Sequence, residues 1–244
     1  MPMPMPAPLA LPAQVVQHLA PDAGASALAL ADFVAETLRA ALRERGRATL
    51  LVSGGRSPIA FFHALSQREL AWADVTIGLV DERAVPRTHA DSNARLLAEH
   101  LLQNVAAAAR FVPLYVEAGD LEQAALAADA RIATLLPSPF DVVVLGMGDD
   151  GHTASLFPGA AGTAAALDPA QPHRVVATQP TTAPHARLTL TRRALLDARI
   201  LLLAISGERK RSVLESAAAG GADTLPIAAF VQQDAVPLQL FYSA

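Results

Sequence analysis

The chain has 244 residues, a net charge of −4 and no cysteine, with 52% hydrophobic and 17% charged residues. This composition can bury a substantial core, which excludes a disordered chain. It also excludes disulfides, thiolate metal ligands and a cysteine nucleophile, and it builds no basic footprint for nucleic acid.

The first residues read MPMPMPAPLALP. Their prolines break any apolar helix and no basic segment precedes them, so they make a poor signal peptide. Residues 1–12 are expected to form a flexible Pro-rich tail ahead of a single domain at 13–244. No run of about 18 apolar residues predicts a membrane span. Together with the missing cysteines, this points to a cytoplasmic chain without a membrane or nucleic-acid partner.

Residues 26–45 place Leu28, Phe33, Leu38 and Leu42 at helical spacing. ATLLVS (48–53) then reads as a buried parallel strand running into Gly54-Gly55. Ser57-Pro58 opens a helix, with the serine as cap and the proline in the first turn. VTIGLV (75–80) is a second strand, 92–103 and 119–135 are helical, and FDVVVLG (140–146) is the clearest buried strand. Residues 159–172 are small and loop-like. HRVVATQP and ARLTLT have strand character and are candidates to pair with each other. ARILLLAIS (198–206) is a further buried strand, followed by a helix to about 218, a short helix at 226–231 and a last strand, PLQLFY. Strands alternating with helices imply βαβ units and an α/β fold. Its mainly parallel sheet is flanked by helices, with a small additional α+β portion in the C-terminal half. In such sheets ligands sit beyond the carboxyl ends of the strands, and the polar motifs of this chain fall there.

LLVSGGRSP (50–58) is the first motif. Glycines let a backbone approach an anion closely, and a helix N-terminus presents free N–H groups to it. Gly54, Gly55, Arg56 and Ser57 are therefore candidate phosphate ligands. The segment is neither a Walker loop nor a G-x-S-x-G elbow, because Ile59 occupies the last glycine position. LVDERAVPRTHADSN (79–93) places Asp81, Glu82 and Arg83 directly after a buried strand, where charge needs partners or a ligand. Arg83 suits a phosphate or an oxyanion, and Asn93 suits sugar hydroxyls. Glu82, Arg87 and His89 are read as parts of a solvated loop, with Asp91 or Ser92 capping the next helix.

VVVLGMGDDGHTASLFPG (142–159) contains G-x-G-x-x-G, but Asp149 and Asp150 would repel a pyrophosphate and Pro158 cuts the following helix short. An acid/base site accounts for it better. Asp150 would fix the tautomer of His152 and raise its basicity. His18, His63, His89, His100, His173 and His185 are taken as incidental. In ISGERKRSVLESA (205–217), basic residues in the first helical turn oppose the macrodipole unless an anion lies near. Lys210 is assigned to that anion, Arg209 and Arg211 to a solvated face.

LLVSGGRSP, VDERAVP with DSN, and above all GMGDDGHTASLFPG resemble the 6-phosphogluconolactonase family. RLTLT (187–191) and the G-x-x-K of Gly207 to Lys210 match its later segments, and the resemblance runs from about residue 26 to 242. It implies a modified Rossmann-type fold and hydrolysis of 6-phospho-D-glucono-1,5-lactone to 6-phosphogluconate in the oxidative pentose phosphate pathway, with no cofactor and no metal. His152 would be the general base supported by Asp150, and Arg83 with turn N–H groups would stabilise the oxyanion. Gly54, Gly55, Ser57 and Lys210 would hold the phosphate, with Arg187 a further candidate. The implied partner is a small phosphosugar lactone, bound by a monomer or small homo-oligomer. A glucosamine-6-phosphate deaminase reading is disfavoured because Arg83 replaces the tyrosine of that family's strand-end motif and HTASLFPG lacks a carboxylate. A non-catalytic sugar-phosphate sensor would not need Asp150 and His152.

Overall fold

The computed structural model describes residues 4–117, 119–220 and 225–244. Seven strands form one parallel sheet: β1 (Val16–Ala20), β2 (Ala48–Val52), β3 (Val75–Leu79), β5 (Arg110–Phe111), β6 (Val142–Leu145), β9 (Leu201–Ser206) and β10 (Leu238–Ser243). Their spatial order is β1-β10-β9-β6-β2-β3-β5. A second, antiparallel sheet joins β4 (Asp81–Arg83), β8 (Arg187–Leu190) and β7 (Val175–Thr178) in that order. HRVVATQP and ARLTLT therefore do pair, with Val175 opposite Leu190 and Thr178 opposite Arg187. The architecture is the expected α/β fold with a small added portion.

All five residues of β2 and all four of β6 are buried, as a parallel strand covered on both faces requires. Helix α1 (Ala23–Arg45) packs on β2, β10 and α2 (Ile59–Ser66). It begins three residues before the expected start because the Asp22 carboxylate accepts from the Ala25 N–H at 2.8 Å. Its end is set by Gly46, at φ 69°. Further helices are α3 (Asn93–His100), α4 (Leu121–Leu135), α5 (Thr163–Leu167), α6 (Arg192–Leu195), α7 (Glu208–Ala218) and α8 (Ala228–Val231).

A buried network locks the amino ends of β2 and β6. The Asp141 carboxylate accepts from the Thr49 N–H at 2.8 Å, and the Thr49 hydroxyl accepts from the Asp141 N–H at 2.9 Å. Arg45 and Arg199 flank the same carboxylate. These polar contacts fix which strands neighbour one another at the end opposite the cleft.

Several local expectations need correction. Asp81–Arg83 is a strand, not loop, because it pairs antiparallel with β8. Ser57 does not cap α2: Pro58 holds the N-cap position and no side chain bonds there. Residues 16–20, which carry no clean period, pair in parallel with β10. The tail also has contacts the sequence did not signal. Leu9 is buried, Gln17 exchanges two hydrogen bonds with its backbone, and the Arg211 guanidinium donates to the Ala7 and Pro8 carbonyls. Arg211 thus anchors the N-terminal segment instead of facing solvent. Residues 1–3 of that tail lie outside the described residues.

Candidate active site

The carboxyl ends of β2, β6, β9 and β10 open into a cleft of about 330 Å³. This is where β2 meets β3 on one side and β6 on the other, so the connections leave in opposite directions and a crevice forms. Of the ten candidate residues, Gly54, Gly55, Ser57, Arg83, Asn93, His152, Arg187 and Lys210 line it. Arg56 is exposed and does not. Asp150 stands behind His152, outside the lining.

The loop after β6 is shaped around His152. The Gly148 N–H donates to the His152 carbonyl at 2.9 Å, and Gly151 turns the chain at φ 77°. A Cβ at Gly148 would collide with the imidazole, so glycine is required for the ring to lie there. The Asp150 carboxylate accepts from the His152 N–H at 3.1 Å and lies 2.6 Å from Nδ1. Burial raises the Asp150 carboxyl, but the His152 N–H and imidazole lower it further, leaving it below its usual range. An ionised carboxylate at Nδ1 keeps the proton on that nitrogen and leaves Nε2 with the lone pair. The Phe157 ring stacks on the imidazole, with centroids 4.1 Å apart and planes at 23°.

On the small sheet Arg83 and Arg187 stand directly opposite each other across β4 and β8. Like charges in that position repel. Burial first, and Arg83 second, hold the Arg187 guanidinium below its usual value, while Asp81 acts in the other direction. Both Nε atoms are buried without a partner among the described residues. Arg187 also lies over Phe157, its Cζ 5.6 Å from the ring centroid, so one aromatic ring touches both the His152 imidazole and Arg187.

Asp81 and Glu82 organise this pair. The buried Asp81 carboxylate accepts from the Ser155 hydroxyl at 2.6 Å and stands 4.0 Å from Arg187 Nη1. Ser155 therefore ties the His152 loop to the arginine sheet. Glu82 is 2% exposed, not solvated as the sequence suggested. Its carboxylate accepts from the Arg83, Asn93 and Ala94 N–H groups at 2.7–2.8 Å and from the Ser92 hydroxyl at 3.2 Å. Burial pushes the Glu82 carboxyl up and those backbone donors resist. Ser92 also caps α3 by accepting from the Arg95 N–H. Asn93 is thereby fixed: its Nδ2 donates to the Asp81 carbonyl at 2.9 Å, and it packs so closely on Gly54 that a Cβ there would collide with it.

Lys210 enters the cleft from the first turn of α7, whose N-cap Gly207 has φ 89°. Arg209 is exposed, 3.7 Å from Asp149. Sequence reasoning assigned no role to Asp81, Ser155, Phe157 or Ser243. Asp81 carried the same signal as Arg83, charge directly after a buried strand. Phe157 and Ser243 carried none, because their value comes from neighbours distant in sequence. The buried Ser243 hydroxyl lacks a partner among the described residues, as does Asn93 Oδ1. Four residues with orphaned polar atoms, Arg83, Asn93, Arg187 and Ser243, thus converge on one cleft.

Comparisons with known proteins place the chain as a whole. A 6-phosphogluconolactonase of Pseudomonas aeruginosa is 49% identical over 225 residues, covering 92% of this chain and 94% of that one. A 6-phosphogluconolactonase of Rhizobium meliloti is 49% identical over 227 residues, covering 93% and 97%. The crystal structure of a 6-phosphogluconolactonase from Shewanella baltica OS155 superposes with a TM-score of 0.91 at 41% identity, over 96% of this chain and 100% of that one. The family profile described as glucosamine-6-phosphate isomerases/6-phosphogluconolactonase matches residues 21–238, and the chain belongs to that family.

Proposed function

We propose that this chain hydrolyses 6-phospho-D-glucono-1,5-lactone to 6-phosphogluconate, the lactonase step of the oxidative pentose phosphate pathway. Its near-full-length identity to 6-phosphogluconolactonases supports the substrate. The observation that carries the chemistry is the meeting, in one cleft, of an Asp-supported imidazole and orphaned arginine donors.

His152 Nε2 takes a proton from a water attacking the lactone carbonyl. The Asp150 carboxylate holds Nδ1–H and stabilises the imidazolium that forms. Charge growing on the carbonyl oxygen is met by the arginine pair, which repels itself until an anion arrives. Collapse of the tetrahedral intermediate expels the ring oxygen, which receives the proton back from His152. Lys210, the Gly54-Gly55 turn and Ser57 grip the phosphate. No side chain in this scheme acts as a nucleophile, so no covalent intermediate is invoked.

A charged sugar phosphate is used where it is made, which supports a cytoplasmic reaction. The mildly acidic chain would work as a monomer or small homo-oligomer without a nucleic-acid partner. No helix among the described residues is long and apolar enough to cross a membrane. The test is acid release from freshly made lactone, followed against its spontaneous hydrolysis. Turnover well above that background is expected. Binding of the lactone or 6-phosphogluconate without acceleration would make the chain a sensor, and ammonia release from glucosamine 6-phosphate would make it a deaminase.

A further inference from the structure

The two loops that deliver the arginine pair meet a second time, outside the cleft. His89 and Asp91 lie between β4 and α3, and His185 lies just ahead of β8. His185 Nε2 is 2.8 Å from Asp91 Oδ2, and His89 Nδ1 is 3.8 Å from the same oxygen. One ligand atom from each residue falls within 4.8 Å of the other two. None of the three lines the cleft. His185 also holds φ 68°, a left-handed conformation that side-chain-bearing residues rarely adopt.

Two imidazoles and a carboxylate are the donor set of a borderline divalent cation, not of magnesium or calcium, which prefer oxygen alone. With bonds of about 2.0–2.1 Å and tetrahedral angles, neighbouring ligand atoms stand roughly 3.4 Å apart. The observed separations bracket that value. Two features oppose binding. His89 Nδ1 already accepts from the Asp91 N–H at 3.1 Å, and the Arg83 guanidinium donates to the Asp91 carbonyl, placing positive charge nearby. The first requires only a small rotation, and the second lowers affinity without removing a ligand.

We propose that His89, Asp91 and His185 bind one divalent transition-metal ion of the zinc class, clipping the 84–92 loop to the 179–186 loop beside Arg83 and Arg187. Coordination needs neutral imidazoles, so any proton on His185 Nε2 passes to solvent. The remaining position is open to water because His89 and Asp91 are exposed.

The full chain, stripped with chelator, is titrated with zinc chloride by calorimetry and with cobalt(II) by visible absorption. One ion per chain and the intense d–d bands of four-coordinate cobalt are expected. His89→Ala and His185→Asn should each weaken binding at least tenfold, on the scale by which ligand-shell changes alter metal sites. Asn is chosen because it tolerates the left-handed backbone. His63→Ala should leave binding unchanged, although His63 and His100 form a separate pair 2.8 Å apart. Absence of saturable binding would overturn the proposal. So would binding that survives both His89→Ala and His185→Asn, which would place the ion elsewhere. Unshifted melting of the metal-free variants shows that they fold. The titration contains no substrate, so its outcome is independent of the lactonase reading.

Discussion

At the scale of single residues, the proposed proton relay and the proposed anion grip are separable. His152→Ala removes the relay and leaves every arginine in place. Turnover should fall by about 10²–10⁴, while 6-phosphogluconate binding by calorimetry stays within a few-fold of the parent. Equal loss of both would show that the imidazole anchors ligand. Lys210→Ala should do the reverse. A phosphate anchor serves ground and transition states alike, so KM should rise about tenfold or more with kcat little changed. A kcat loss at constant KM would remove Lys210 from the anchor set. The Asp150 carboxyl lies below its usual 3.8. Its hold on the imidazole is therefore complete above that value and lost only as pH falls through the lowered one. Near neutral pH the Asp150 carboxylate therefore stays ionised and its contact with the imidazole stays intact.

At the scale of elements, Glu82 is the pin between β4 and α3. One carboxylate receives three backbone N–H groups and a hydroxyl, from Arg83, Asn93, Ala94 and Ser92. Glu82→Ala strands buried donors at roughly 1–3 kcal/mol each. At this chain length, melting should fall on the order of 10 °C by calorimetry. An unchanged midpoint would mean that the four contacts contribute nothing. The same segment shows where sequence reading stops. β2, β6 and β9 were legible because both of their faces are buried, which leaves unbroken apolar runs such as LLLAI. β4 reads Asp-Glu-Arg and has no apolar signature. It is a strand because β8 pairs with it and because α3 brings N–H groups that satisfy Glu82. His152 was legible because Asp-Gly-His after a buried strand has no packing explanation. Ser155 and Phe157 were not, since a buried hydroxyl or ring acquires its role only from the partner that the fold supplies. Arg56, beside the same glycine turn, is exposed and lies outside the cleft lining, which its sequence neighbours did not signal.

At the scale of the whole molecule, two sheets meet at one cleft. The large sheet supplies the imidazole loop and Lys210, the small sheet supplies the arginines, and Ser155 with Asp81 joins them. The N-terminal segment then clasps the far edge. Leu9 is 4% exposed, so Leu9→Ala should cost about 2 kcal/mol and lower the melting midpoint by several degrees. An unaltered midpoint would show that residues 7–12 are not docked.

The pairing of β1 with β10 sets Val16 beside Gln239. The strands β2 to β9 must be synthesised before β10 can give β1 its place. While the nascent chain lengthens, the first strand waits unpaired, and β10 arrives to fill the gap between it and β9. The edge formed by β1 is therefore the part of the large sheet that must wait longest in the chain for its partner.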